Sequence, residues 1–195
     1  MHKQQLLLTI FLSITTFTSS FNFITQPQRT KLKNEILALS TETKRGLEAT
    51  AEQKQEMDTL FTKLEKLNPT SKPLKSNLVN GDWSLEYTTS DSILGKGGFP
   101  RIGPIIQAID TTTLSAKNSE VVSYFNFLPV TREVTAELSP ENDQLTNVQF
   151  KKFSIGPVGF NAPESFKGYL DITYLDDDLR LTRGDKGNIF VLTRM

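Results

Sequence analysis

From Asn80 onward the apolar residues recur at every second position, where before it they recur at every third or fourth. That change governs what the chain can fold into. In "DWSLEYT" (82–88), Trp83, Leu85 and Tyr87 alternate with Asp82, Ser84 and Glu86, which gives a strand one apolar and one wet face. "REVTAEL" (132–138) repeats the device with Val134, Ala136 and Leu138. Between them "PIIQAID" (104–110) and "EVVSYFNF" (120–127) read as strands, the latter apolar on both faces. "NVQFKKFSI" (147–155) follows, and its Phe150 and Phe153 have opposite parity, which predicts a bulge between them. "KGYLDITYL", "LRLTR" and "NIFVLTR" complete the series. About eight consecutive strands with short breaks and no helix signal among them predict a mainly β fold, closed as a barrel or folded as a sandwich.

Ahead of the strands the period is helical. Leu32, Ile36 and Leu39 share a face. Thr50-Ala51-Glu52-Gln53 fits a capping box, and Met57, Leu60, Phe61, Leu64 and Leu67 form one apolar stripe that Asn68-Pro69 ends. Residues 32–69 therefore read as a helical annex whose stripe packs on the main domain, 70–79 as a linker, and 80–195 as the β domain. The mixed Lys and Glu residues on the polar face of the second helix argue against a binder of anionic membrane.

Composition removes several function classes. Basic and acidic residues balance at 22 each, so no net positive field exists to gather nucleic acid. Cysteine is absent and the single histidine is His2, which leaves no thiolate or imidazole metal set and no His-based triad. We expect neither a metal nor a cofactor. Residues 1–20 combine a short basic start, an apolar run over 6–17 and the small Thr18-Ser19-Ser20, the layout of a secretory signal peptide. Residues 21–31 carry basic and hydroxyl side chains without acid, as a transit peptide does. Phe21 just past the cut resembles the bipartite presequences of algae with complex plastids, which implies delivery to a plastid through the ER.

The C-terminal "YLDDDLRLTRGDKGNIFVLTR" (174–194) offers three tempting motifs. Asp176-Asp177-Asp178 departs from a calcium loop at its fifth and sixth positions, and reads as a solvated hairpin tip. Arg183-Gly184-Asp185 is too short to mark adhesion. Gly184 and Gly187 lead into a strand rather than a helix N-terminus, so they do not form a phosphate cradle. Gly95-Lys96-Gly97-Gly98 reads as a flexible loop at the barrel mouth.

Four blocks in order, "LEKLNPT", "NGDWSLEYTTS", "GPIIQAID" and "GYLDITYLDDDLRLTRGDKGNIFVL", resemble the plastid lipid-associated proteins, or plastid fibrillins (plastoglobulins), over residues 32–194. The resemblance implies a lipocalin-like, up-and-down antiparallel β-barrel and a non-enzymatic role in the chloroplast. That role is binding or organising carotenoids, quinones or prenyl lipids in the stroma, at the thylakoid periphery or at plastoglobules. It points to Gly81, Trp83, Gln107, Arg180, Arg183, Gly184, Asp185 and Gly187 as structural motif residues. Trp83 is expected to close one end of the barrel with Arg180 or Arg183 stacked on it. Phe125, Phe127, Phe150, Phe153 and Tyr87 are the candidate ligand lining. Two other readings are a scaffold for a plastid protein partner and a barrel enzyme of prenyl-lipid metabolism with Glu86 or Asp171 as general base; alternation places Glu86 outward.

Overall fold

The computed structural model describes residues 25–95 and 98–195. The expected signal peptide, the first residues of the transit-like segment, and Lys96 and Gly97 of the glycine loop lie outside the described residues. Residues 25–31 of that segment are already helical. They open α1 (residues 25–42), which buries Leu32, Ile36 and Leu39. Helix α2 (Ala51–Glu65) starts with the capping box: Gln53 N–H donates to Thr50 Oγ1 at 3.2 Å, and Thr50 N–H to Gln53 Oε1 at 3.0 Å. Its stripe of Met57, Leu60, Phe61 and Leu64 is buried.

Nine strands follow: β1 (Gly81–Thr88), β2 (Arg101–Asp110), β3 (Ser115–Tyr124), β4 (Leu128–Pro140), β5 (Leu145–Ile155), β6 (Val158–Asn161), β7 (Lys167–Leu175), β8 (Leu179–Gly184) and β9 (Ile189–Arg194). Eight of them close an antiparallel up-and-down barrel. β1 pairs with both β2 and β9, β4 pairs with β5, and β7 takes the place beside β5, while β6 is a short hairpin arm on the outer part of β5. A helical turn, α3 (Asp91–Leu94), interrupts the series between β1 and β2, where the sequence carries no helix period.

Of four register slips among the described strands, one of them in β2 between Ile102 and Ile106, three decide which way Tyr87, Tyr174 and Phe153 face. Between Leu85 and Tyr87 the pairing with β9 slips, so Leu85 packs inside while Tyr87 turns outward with Tyr174, Leu181 and Val191. A second slip between Ile172 and Tyr174 does the same on β7. The third is the bulge expected in β5: Ala136 pairs with Phe150 and Thr135 with Lys152, leaving Lys151 extra, so that Phe150 and Phe153 both line the interior.

The core is therefore double. Helices α1 and α2 cover the outside of the wall formed by β1, β7, β8 and β9, and a second cluster fills the lower barrel. Strand β8 is buried on both faces, with Leu179 and Leu181 under the helices and Arg180 and Thr182 inside. Ion pairs fasten this layer. Arg183 grips Glu65 through Nε at 2.8 Å and Nη2 at 2.9 Å, with its guanidinium 4.9 Å from the Phe61 ring centroid.

The segment read as a linker is the floor of the barrel. Thr70 Oγ1 donates to Leu175 O at 2.7 Å, Leu74 N–H donates to Asp143 O at 2.9 Å, and two 3-10 turns, Pro73–Lys75 and Asn77–Val79, bring Val79 beneath Trp83. Its polar, Pro-containing sequence hides this role because the burial comes from the barrel end it closes. The strand expected over 120–127 ends at Tyr124, and Phe125 and Asn126 form the hairpin turn with φ of 54° and 64°.

Candidate functional site: the barrel interior and its rim

One end of the barrel is sealed. The Trp83 indole is wholly buried, donates from Nε1 to Val79 O at 3.0 Å, and is stacked by two guanidiniums, Arg194 at 4.1 Å and Arg180 at 4.8 Å from its centroid. Arg194 ties the seam by donating to the carbonyls of Asn80 at 2.8 Å, Asp177 at 3.1 Å, and Leu78. Gly81 has a φ of 112°, and a Cβ there would meet Arg194 Nη1 at 3.1 Å, which explains a glycine two residues before the tryptophan. Of the two arginines expected on the indole, Arg180 is there; Arg183 lies outside the barrel on α2. Sequence reading missed Arg194, although its parity with Phe190 and Leu192 already turned it inward.

At the aspartate tip Asp177 and Asp178 are exposed as expected, and Asp176 is not. Asp176 is largely buried and receives Lys33 Nζ at 2.8 Å, Tyr174 Oη at 2.6 Å and the N–H groups of Asp178 and Leu179. Burial pushes its carboxyl up, but these donors outweigh burial and hold it below the ordinary 3.8. The folded value is the lower one. The stabilisation is therefore present above about pH 4 and lost as pH falls through the folded value. Asp176→Asn is expected to lower the denaturant midpoint at neutral pH, with the gap from the parent chain closing below about pH 4; an equal gap at all pH values would refute this. Among the described residues no group of three or more His, Cys, Asp or Glu side chains is placed to hold a metal ion.

Above the floor the barrel is hollow. A cavity of about 900 Å³ is lined by apolar side chains including Leu85, Ile105, Val134, Val148, Phe150 and Phe153, and its volume is that of a small-ligand site. Ala116 and Ala136, both facing inward, leave the space that larger residues would fill. From Ala116 to Tyr124, β3 runs along the cavity wall; at about 3.3 Å per residue and a tilt near 40° this is a depth of roughly 20 Å. Polar groups lie at two levels. Gln107, Asn118 and Thr182 line the floor. Near the mouth Glu120 joins Arg101 and Arg132, the latter at 3.2 Å, while Arg101 also donates to Ile93 O at 2.7 Å and so ties α3 to the opening. These charges sit at inward-facing positions of alternating strands, a signal readable only once the strand boundaries are known.

The candidate lining residues divide. Phe150 and Phe153 face the cavity, and Phe153 packs with Phe160 and Phe166 at 5.7 Å. Phe125 and Phe127 do not: they stand at the β3–β4 hairpin tip, 75% and 78% exposed. Tyr87 packs under the helices, turned there by the β1 bulge. Among the motif residues, Gln107 is on the floor, Asp185 lines the mouth, Gly187 turns with φ of 73°, and Gly184 lies where a Cβ would meet Phe190 at 2.7 Å. Around the charges of Glu120, Arg101 and Arg132 the mouth exposes many apolar side chains. Phe99, Ile102, Phe125, Phe127, Ile155, Val158, Phe160 and Phe166 are all exposed and belong to the strand ends, hairpins and loops around the opening.

A closed antiparallel barrel with a sealed base and a hollow, mostly apolar interior places the chain among lipocalin-like barrels with room for a small molecule. The sequence matches the PAP_fibrillin family over residues 30–193, and the chain belongs to that family of plastid lipid-associated proteins. It is 37% identical to the probable plastid-lipid-associated protein 5, chloroplastic, of Arabidopsis thaliana, covering 86% of this chain and 70% of that one. It is 28% identical to the light-induced protein, chloroplastic, of Solanum tuberosum (84% and 67%), and 27% identical to the chromoplast-specific carotenoid-associated protein C1, chromoplastic, of an Oncidium hybrid cultivar (84% and 68%). No solved structure matches the chain.

Proposed function

We propose that the protein holds one apolar molecule in its barrel while its aromatic rim rests on a plastid lipid surface, and that it carries out no chemistry on that molecule. The observation that carries this reading is the hollow interior opening through a ring of exposed aromatic and aliphatic side chains. Exposed patches of this kind mark lipid or protein contact; here they surround the way into an apolar cavity, so cargo can pass between lipid and barrel without crossing water. The amphipathic stripe of α2 is spent on the barrel wall, which leaves the rim as the lipid-facing part. A name such as carotenoid-associated protein among the relatives supports a carotenoid as cargo, and quinones and other prenyl lipids offer the barrel the same apolar chemistry. Since the cavity is only roughly 20 Å deep, a full-length carotenoid would project through the mouth into the lipid. A neutral chain suits a stromal or thylakoid-peripheral carrier as well as a plastoglobule protein.

The carboxylates considered as general bases support a non-enzymatic role. Glu86 accepts from Thr193 Oγ1 at 2.9 Å on the outer wall, and Asp171 lies outside beside Glu65 and Arg183. The test is to recover the full chain from plastids in mild detergent and identify what solvent extracts from it by mass spectrometry. A stoichiometric apolar compound is expected. An empty barrel that copurifies with one specific protein would replace this reading with the scaffold.

A further inference from the structure

Arg180 is wholly buried, yet among the described residues no carboxylate pairs with it. Its Nη2 donates to Gln107 Oε1, and its Nε and Nη1 have no partner. Burial, and then repulsion from Arg194, lower its pKa to about 9, so it remains cationic at neutral pH. A buried cation without a counter-ion is strongly unfavourable, and an apolar side chain of similar length is often the more stable choice. The indole face and one amide oxygen offset only part of that cost. Nor does closing the barrel require this charge, because Arg194 also stacks on Trp83 and makes the seam's hydrogen bonds.

Directly above Arg180 the cavity is polar, where most of its lining is apolar. Gln107 passes a hydrogen bond on to Asn118, Nε2 to Oδ1, at 3.0 Å. Thr182, two residues along β8 and on the same inward face as Arg180, lines the cavity with a buried Oγ1 that has no partner. On the floor, therefore, the Thr182 hydroxyl has an unused donor, and the guanidinium held behind Gln107 has an uncompensated charge. What would satisfy them is an anionic acceptor. The mouth cluster differs, because its carboxylate is already shared between two arginines.

We propose that the barrel takes a long-chain carboxylate head-first, its carboxylate resting on Gln107, Asn118 and Thr182 over the charge of Arg180 and its chain running up to the mouth. This rests on the lipid-binding reading above and names the class of its ligand. Thr182 donates one hydrogen bond, and rotation of Gln107 away from Arg180 frees a guanidinium N–H for a second. A carboxylate supplies the counter-charge Arg180 lacks, whereas an ester carbonyl accepts the hydrogen bond and leaves the cation uncompensated. Depth fits as well: an acyl chain spans one leaflet, about 15 Å, within a cavity roughly 20 Å deep.

Trp83 is the only tryptophan and stacks on Arg180, so its emission reports events at the floor. The full chain is titrated with oleate and with methyl oleate by calorimetry, with Trp83 fluorescence followed in parallel. Oleate is expected to bind about tenfold or more tightly than the ester and to change the Trp83 emission. R180M is expected to bring the oleate affinity down to that of the ester without lowering Tm. Equal affinities for acid and ester in the parent chain overturn the proposal, as does a preference that survives R180M or is abolished instead by R132M. Should R180M not fold, the isosteric T182V decides: it is expected to lose several-fold of the acid preference, and an unchanged preference is the refuting result. Binding of the ester without acid preference sinks this proposal alone; binding of neither compound sinks the lipid-binding reading with it.

Discussion

Replacing Trp83 with alanine is expected to destabilise the protein by about 4 kcal/mol, which for a chain of this length lowers Tm by ~10 °C or more. The indole has no exposed surface, holds Val79 through its N–H, and carries two guanidiniums on its ring. Its removal opens a cavity at the closed end and takes the π system away from the Arg180 and Arg194 charges. The plug also loses its anchor, so cargo retention should fall with stability. Trp83→Phe keeps an aromatic face but not the hydrogen bond, and is expected to lie between the two. Circular dichroism melts of the three chains check the order. A Tm for Trp83→Ala within 2–3 °C of the parent, on the scale of about 1 kcal/mol, would show that the sealed base does not hold the barrel together.

The largest functional effect is expected at the rim. Phe125 and Phe127 stack on each other at 6.3 Å at the tip of the β3–β4 hairpin and contribute almost nothing to the core. Inserted into lipid, each gains on the order of 1.5–3 kcal/mol. Losing both should weaken binding to galactolipid vesicles by about 100-fold or more, at 1.4 kcal/mol per factor of ten. Phe125→Asn with Phe127→Ser is the pair to make, since asparagine tolerates the positive φ of position 125 and neither change adds charge. Vesicle flotation reads the affinity, and an unchanged melting curve shows that the fold is intact. Full flotation by the double variant would place the lipid contact elsewhere on the molecule.

How much of this was legible beforehand follows from the range of the interactions involved. The capping box of Thr50 and Gln53, the apolar stripe of α2, the alternation of β1 and β4 and the bulge between Phe150 and Phe153 are all local, encoded in residues a few positions apart. The family resemblance, carried by four collinear blocks, extended the reading to a lipocalin-like barrel. Tyr87 shows where local periodicity stops being enough. Its parity with Trp83 and Leu85 points inward, and only the slip against β9 turns it under the helices. Phe125 and Phe127 looked like lining because an apolar run conceals a turn when its turn-former, Asn126, is flanked by phenylalanines.

The sequence by itself determined the helix-then-strand order and the antiparallel class, because periodicity is a property of neighbouring residues, and the family resemblance added the closing role of Trp83. Tertiary structure alone decided that the barrel is hollow, that 70–79 seals its floor, that Arg194 rather than Arg183 joins Arg180 on the indole, and that Arg180 is left without a counter-ion. Each of these depends on residues dozens of positions apart meeting across the closed sheet. Only closure fixes which charges end up paired and which volume stays empty.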